Sequence, residues 1–484
     1  MTQTKAVADV TASTTTPILP PLSVTDDNSI PALAPFYEER RERVRSFIFL
    51  TLLSVLYAAA ASSLSARHPW YVIVLSVFIL LTIQVISGRA RRMLTLRLKL
   101  LGHGAFALLI FTGSAVLGST NHIILGIMQR DVWSDVWQSW LLDVGLFVLA
   151  EAVLFWNGII FVYTTSVQLG ISLRIVGVLL GLIPPFNMII LGVIIKRAIG
   201  ELRYENRRER CNRRRQWTRP CQTRYPVLLV HGVFFRDSAR FNYWGRIPKD
   251  LKRLGCDVYY GEHQSAASVR DSAEELSLRI KSILALSGAE KVNVIAHSKG
   301  GLDIRYAITH YGMGEYIASL TTVNTPHKGC AFAEYLLSVC PVWLRNKIAG
   351  AYNKVAWHAG DHEPDFLAAV TDLTATACRT WEDTLPVPEG IFCQSVASFM
   401  VKGAGAGFPM ILTHGFVKRF DGPNDGLVAG TAQPWGERCF VWESRGFRGV
   451  SHGDVIDLLR ENISGFDVRE HYVQLVADLK NRGL

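Results

Sequence analysis

Residues 291–301 read Lys291-Val292-Asn293-Val294-Ile295-Ala296-His297-Ser298-Lys299-Gly300-Gly301. Val292, Val294 and Ile295 predict a strand, and a helical pattern opens at Leu302. Ser298 therefore stands at the apex of a strand–turn–helix, flanked by small residues at Ala296 and Gly300, in the pattern small-x-Ser-x-small. A serine on such a turn is held in a strained conformation that only small neighbours permit. Ala296 departs only mildly from glycine, because the turn requires no more than a small side chain there.

Outward from this stretch, short apolar strands alternate with amphipathic helices. Strands are predicted at 225–230, 257–260 and 291–295, and helices around 245–254 and 268–286, the latter with Leu276, Ile280, Ile283 and Leu284 on one face. That alternation from residue 224 onward is the mark of an α/β domain with a parallel sheet. An apolar and aromatic insertion follows Cys330, with Val342, Trp343, Leu344, Trp357, Phe366, Leu367, Leu373 and Trp381. It is expected to form a cap around 331–419.

A serine nucleophile needs a base, an acid that orients the base, and donors for an oxyanion. On a sheet of this kind the chain order is serine, acid, histidine. Two histidines, His452 and His471, follow the acid region. His471 lies in a helical pattern, whereas His452 lies in the small-residue loop Val450-Ser451-His452-Gly453-Asp454, where an imidazole is free to meet the serine. The acid is expected at Asp425 in Asn424-Asp425-Gly426, 127 residues after Ser298 and 27 before His452; Asp421 is the near alternative, with Asp454 and Asp457 as structural competitors. The backbone N–H groups of Lys299 and Val233 are the expected oxyanion donors, the first following the serine and the second following His231-Gly232.

The first half of the chain has a different character. Of the 484 residues only 19% are charged, against about 25% for an average soluble domain. Mean hydropathy is +0.20. The apolar excess is concentrated between residues 45 and 196, in runs near 46–64, 70–88, 100–118, 142–164 and 173–195, each near the ~20 residues a membrane span requires. Pro184 and Pro185 divide the last run, which reads as one kinked span or a re-entrant hairpin; four spans and a re-entrant segment are the favoured reading. Asp143, Glu151 and Asn157 in or near the fourth run are expected to satisfy polar neighbours within an anchor, and no repeat of the kind transporters carry is visible.

Residues 1–35 read as a disordered tail without a signal peptide, 36–200 as an all-α transmembrane region, 201–223 as a basic juxtamembrane linker, and 224–484 as the α/β domain. Basic residues alternate across the connections: Lys5, Arg40, Arg41, Arg43 and Arg45 before the first run, then Arg67 alone, then Arg89, Arg91, Arg92, Arg97 and Lys99, then Arg130 alone. This pattern puts the N-terminus and, after four spans, the α/β domain on the cytoplasmic side of a multi-pass protein in a bacterial inner membrane.

Residues 196–219 carry ten Lys/Arg and three Glu, and the whole chain is net +10. A basic cluster placed directly after an apolar segment suits anionic headgroups, and no nucleic-acid motif accompanies it. The eight cysteines all follow residue 200 without a C-x-x-C pair, which excludes a zinc ribbon or thioredoxin-like centre.

The segments at 225–233, 291–301, 324–329 (Asn-Thr-Pro-His-Lys-Gly), 424–428 (Asn-Asp-Gly-Leu-Val) and 451–454 (Ser-His-Gly-Asp), in that order, resemble the bacterial triacylglycerol lipases of the α/β-hydrolase superfamily. The resemblance covers about 225–484 and implies an α/β-hydrolase fold and a Ser298–His452–Asp425 triad acting on carboxylic esters, with lipid or ester substrates and membrane lipids as partners. It also implies a structural calcium in many relatives, held by the Asp two residues after the histidine, here Asp454. The second carboxylate expected upstream of the acid is poorly supplied, since only Glu389 lies between Leu385 and Phe420; no cofactor is expected. The same machinery on a thioester, a lysophospholipid or a polyester is the nearer alternative, and a transport or sensing protein with a vestigial hydrolase domain the more distant one.

Overall fold

The computed structural model describes residues 18–19, 36–64, 68–86, 93–233, 242–401, 403, 410–444 and 448–484. Two compact units emerge, one of Asp27–Arg213 and one of Met1–Asp26 with Arg214–Leu484. Most of the expected tail, and Arg67, Arg89, Arg91 and Arg92 of the charge pattern, lie outside the described residues.

The first unit is helical: α1 (Phe36–Ser62), α2 (Trp70–Ile86), α3 (Leu96–Met128), α4 (Trp133–Thr165), α5 (Gly170–Leu180) and α6, which occupies Phe186–Arg215. Three stretches are long and apolar enough to cross a membrane: Val44–Ser62, Leu96–Met128 and Arg130–Thr165. Helices α2 and α5 are apolar but shorter. The third and fourth expected spans are parts of longer helices, because the helical backbone continues past the apolar window through His122 at one end and Trp137 at the other. The run at 173–195 is split between α5 and α6, with Pro184 and Pro185 at the break. Basic residues 201–215, expected in a linker, continue the helix α6.

Close helix approach depends on glycine where α3 meets α4. A Cβ at Gly104 would stand 2.7 Å from the Gly158 carbonyl oxygen. Some polar residues of this unit pair internally: the Asn157 amide joins Gln84 and His103, and the Ser114 hydroxyl donates to Glu151 at 3.0 Å.

The second unit is built on a parallel sheet of β2 (Val227–Val230), β3 (Val258–Tyr260), β4 (Val292–His297), β5 (Ile317–Val323), β6 (Phe392–Ser398) and β7 (Arg438–Trp442), in the spatial order β7-β6-β5-β4-β2-β3. The two-residue strand β1 (Ile18–Leu19) pairs in parallel with Cys439 and Phe440 at the β7 edge. Consecutive strand residues face opposite ways. Leu228 and Val294 therefore join one core with Ile280 and Ile304, while Leu229 and Ile295 join the other with Trp244 and Tyr472. Burial on both faces explains the unbroken apolar run of β2, and each such side chain contributes about 1.5–3 kcal/mol.

The crossovers are α7 (Ile247–Arg253), α8 (Val269–Ser287) and α9 (Lys299–His310), and α15 (Val468–Asn481) closes the chain. Helix α8 begins where the Ser268 hydroxyl accepts the Asp271 N–H, and stops at Gly288 with φ of 69°.

Between β5 and β6 the chain forms α10 (Ala331–Val339), α11 (Val342–His358), α12 (Phe366–Thr371) and α13 (Ala375–Thr384). The cap expected over 331–419 is thus corrected: its helices end by Thr384, and β6 lies inside that range at the centre of the sheet, between β5 and β7. Beyond β6 comes α14 (Met410–Asp421). Hydrophobicity misses β6 because its buried side chains Gln394, Ser395 and Ser398 are polar. They are satisfied by Thr321, by the Trp435 backbone and by Asn324.

Candidate active site

Ligand and catalytic groups of a parallel sheet gather at the carboxyl ends of its strands. Here the strands stand side by side as β2, β4, β5, β6 and β7. Each is followed at that end by one residue of interest: Val233, Ser298, Asn324, Asp425 and His452.

Ser298 follows β4 directly, with φ 54° and ψ −130°, and its N–H donates to the Val323 carbonyl at 2.9 Å. A left-handed conformation at a residue with a side chain costs about 1–3 kcal/mol. It persists because its surroundings leave no alternative. A Cβ at Gly300 would stand 2.5 Å from the His231 carbonyl oxygen, and one at Gly232 only 2.7 Å from the Ser298 Cβ. The loops after β2 and β4 therefore touch backbone to backbone, which brings Val233 beside the Ser298 turn.

Asp425 is fully buried and accepts four hydrogen bonds. Its Oδ1 takes the N–H groups of Leu427 and Val428 at 2.9 and 2.8 Å, and its Oδ2 takes Asn324 Nδ2 and His452 Nδ1, both at 2.7 Å. The His452 N–H also donates to the Asp425 carbonyl oxygen at 2.9 Å. An acceptor so fully occupied by donors is a carboxylate, so His452 carries its proton on Nδ1 and presents the Nε2 lone pair.

Behind this array lies a layer of buried imidazoles. Tyr243 Oη is 2.7 Å from His297 Nδ1 and accepts the Gly232 N–H at 3.2 Å. Burial, and then the adjacent His452, hold His297 well below the usual histidine range; burial brings His231 down to about 4. These rings are neutral spacers beside the loops, suited to packing more than to proton transfer.

The side chain of Lys299 turns inward. Its Nζ donates to Asp303 Oδ1 at 2.7 Å, Ser272 Oγ at 2.8 Å and the Ser268 carbonyl at 3.3 Å, tying the first turn of α9 to α8.

Ser298, His452 and Val233 open into one cavity of about 350 Å³. Its remaining lining comes largely from the cap: Phe332, Leu336 and Leu337 of α10, Ile348 of α11, and Phe366, Leu367 and Val370 of α12, with Leu427 and Val428 from the acid loop. One end is chemically equipped, and the rest is hydrocarbon apart from Arg345 of α11 and the thiols of Cys330 and Cys340.

The other candidates have separate duties. Asp421 accepts the Phe332 N–H at 3.2 Å, Asp457 pairs with Arg246 at 2.7 Å, and His471 is buried against Trp442 and Phe466. Asp454 does not fit a calcium ion: its Oδ1 meets Arg448 Nη2 and its Oδ2 accepts the Ser451 N–H, each at 2.9 Å. No cluster of three metal-binding side chains occurs among the described residues. Asn324, Tyr243, the Lys299 side chain and Arg448 are parts of the site that sequence reasoning did not assign. Asn324 and Lys299 lie in the quoted segments at 324–329 and 291–301; Tyr243 and Arg448 left no signal.

No protein-family model matches the sequence. Among curated proteins, a triacylglycerol lipase of Vibrio cholerae is 32% identical over 231 residues, covering 43% of this chain and 73% of that protein. Triacylglycerol lipases of Pseudarthrobacter phenanthrenivorans and Burkholderia plantarii are each 35% identical over 176 residues, covering 34% of this chain and 54% and 49% of their own lengths. The chain thus spans about half the length of these two relatives. Among solved structures, the mature Bacillus licheniformis lipase BlEst2 matches 49% of this chain and 88% of its own at 21% identity, with a TM-score of 0.38.

Proposed function

The chain belongs to the triacylglycerol lipase family, and from that premise we propose that it is a membrane-anchored serine hydrolase that cleaves carboxylic esters of lipids. One observation carries the reading: the 2.7 Å pair of His452 Nδ1 and Asp425 Oδ2 stands beside Ser298 at the polar end of an otherwise apolar cavity.

Ser298 Oγ attacks the ester carbonyl while His452 Nε2 takes its proton. Asp425 holds the imidazole in this tautomer and stabilises the imidazolium. The N–H groups of Val233 and Lys299 receive the tetrahedral oxyanion. His452 then protonates the departing alkoxide, and water activated by the same imidazole releases the fatty acid from the acyl-enzyme, restoring Ser298. The cap-side hydrocarbon of the cavity receives the acyl chain, which favours long acyl groups over short ones.

The anchor consists of α1 to α4. The 17 residues of α2 extend about 25 Å at 1.5 Å each, the short limit for a span. Four spans return the chain to its starting side, in agreement with the basic residues that open α1, ahead of its apolar stretch, and those in α6. On this reading the protein is multi-pass in a bacterial inner membrane with the hydrolase unit on the cytoplasmic side.

The test is hydrolysis of p-nitrophenyl butyrate and laurate by the detergent-solubilised full chain and its Ser298→Ala variant. We expect laurate to be preferred and both activities to fall at least ~10³-fold in the variant. A folded wild type that is inert on both esters would contradict the assignment.

A further inference from the structure

The loop that presents His452 is fastened by an unusual arrangement. Arg448, four residues before the histidine, pairs through its backbone with the end of β6: its carbonyl accepts the Val401 N–H at 3.3 Å, and the next ladder bond runs from Val450 N–H to the Phe399 carbonyl at 3.0 Å. From that fixed base its guanidinium crosses the loop. Nη2 donates to Asp454 Oδ1 at 2.9 Å and Nη1 to Glu461 Oε2 at 2.8 Å. The second oxygen of Asp454 accepts the Ser451 N–H at 2.9 Å, and the Asp454 N–H returns to the Ser451 carbonyl at 3.0 Å. His452 lies inside this closed ring of bonds. Asp454 is almost entirely buried, and burial pushes its carboxyl up while Arg448 opposes the shift.

Two carboxylates that follow the histidine, Asp454 and Glu461, therefore converge on one cation, and that cation is covalently part of the chain. A divalent ion would need the same Asp454 oxygen that the guanidinium occupies, and would meet a positive charge there. We propose that Arg448 is a positioning residue that replaces a structural metal ion: it fixes the His452 loop through Asp454 and Glu461, so that the base is placed without bound calcium. This rests on the reading of His452 as the base. A planar guanidinium suits the task because it engages two separate carboxylates from fixed directions, where an ammonium would act as a single mobile point charge.

The experiment has one arm that needs no variant. The full chain in detergent is melted, and assayed on p-nitrophenyl laurate, with excess EDTA and with millimolar calcium. We expect neither melting temperature nor activity to change. The second arm compares Arg448→Ala and Arg448→Lys. Loss of the guanidinium is expected to lower kcat by about 10- to 100-fold with KM nearly unchanged, as for a base displaced by a fraction of an ångström to an ångström, and Lys is expected to restore part of the loss. Loss of melting temperature or activity in EDTA, reversed by calcium, would overturn the proposal, and so would wild-type kcat in Arg448→Ala. Full hydrolysis by Ser298→Ala would instead overturn the triad, and the EDTA melting arm would still report on the loop.

Discussion

The layer that holds Ser298, Asp425 and His452 and the cap meet at one cavity and are built on opposite principles. Beneath the cavity, Ser298, Asp425 and His452 are fixed by short hydrogen bonds, buried glycines and neutral imidazoles, with few degrees of freedom left. Across it, α10, α11 and α12 contribute mostly hydrocarbon, with the Arg345 side chain among it, and Val342, Trp343, Val355 and Trp357 of α11 are exposed. The difference teaches where each kind of specificity resides. Chemistry demands atoms placed to a few tenths of an ångström, which directional bonds provide. Acyl recognition demands only volume and dryness, which apolar side chains provide.

The sharpest way to break this comparison is to change one atom in the rigid layer. Asp425→Asn keeps the shape but replaces an acceptor of the His452 proton with a donor, so the imidazole turns to the wrong tautomer. We expect kcat to drop about 10³- to 10⁴-fold with little change in KM or melting temperature. A loss below ten-fold would mean that Asp425 does not orient the base.

The cap should respond in selectivity instead. Leu367→Trp fills part of the 350 Å³ cavity and is expected to lower kcat/KM for laurate about ten-fold while leaving butyrate within about two-fold. Equal losses on both esters would show that the cap positions the chemistry as well as the chain.

A smaller effect reads the buried imidazoles. His327 bridges Thr322 and Arg305 and is held well below the usual histidine range by burial and then by Arg305. Its folded form resists protonation, whereas the unfolded chain takes up a proton below about pH 6.5, so its contribution to stability is complete above that pH and is lost as the pH falls. Denaturant titrations of wild type and His327→Gln between about pH 6.5 and pH 5 should differ in slope, the variant being shallower by up to ~1.4 kcal/mol per pH unit. Equal slopes would mean that His327 titrates alike in both states.

The two layers also differ in how far they were legible. The placing of Ser298, Asp425 and His452 in turns, which follow strands β4, β6 and β7, could be read because each lies in a short segment whose small residues announce a turn. Their supports could not. Asn324 reaches Asp425 across 101 residues and Tyr243 reaches His297 across 54, and no local pattern encodes such pairs. Strand β6 was hidden for a related reason: Gln394, Ser395 and Ser398 are buried polar residues satisfied by distant partners, so the periodicity of apolar residues that reveals β2 and β4 is absent. The cap was visible as an apolar insertion, but its end was not, since composition marks a change of environment less sharply than a turn does. In the helical unit, hydropathy found the apolar windows and fell short of how far the helices around them extend, because the backbone continues its hydrogen bonding after the apolar residues stop.

The most direct test of the central claim is to react the full chain in detergent with a fluorophosphonate, which is attacked only by an activated serine, and to locate the adduct by peptide mass spectrometry. We expect a single stoichiometric adduct on Ser298, formed at least ~10²-fold more slowly in His452→Ala. An adduct on another residue, or labelling of Ser298 at an unchanged rate without His452, would contradict the account.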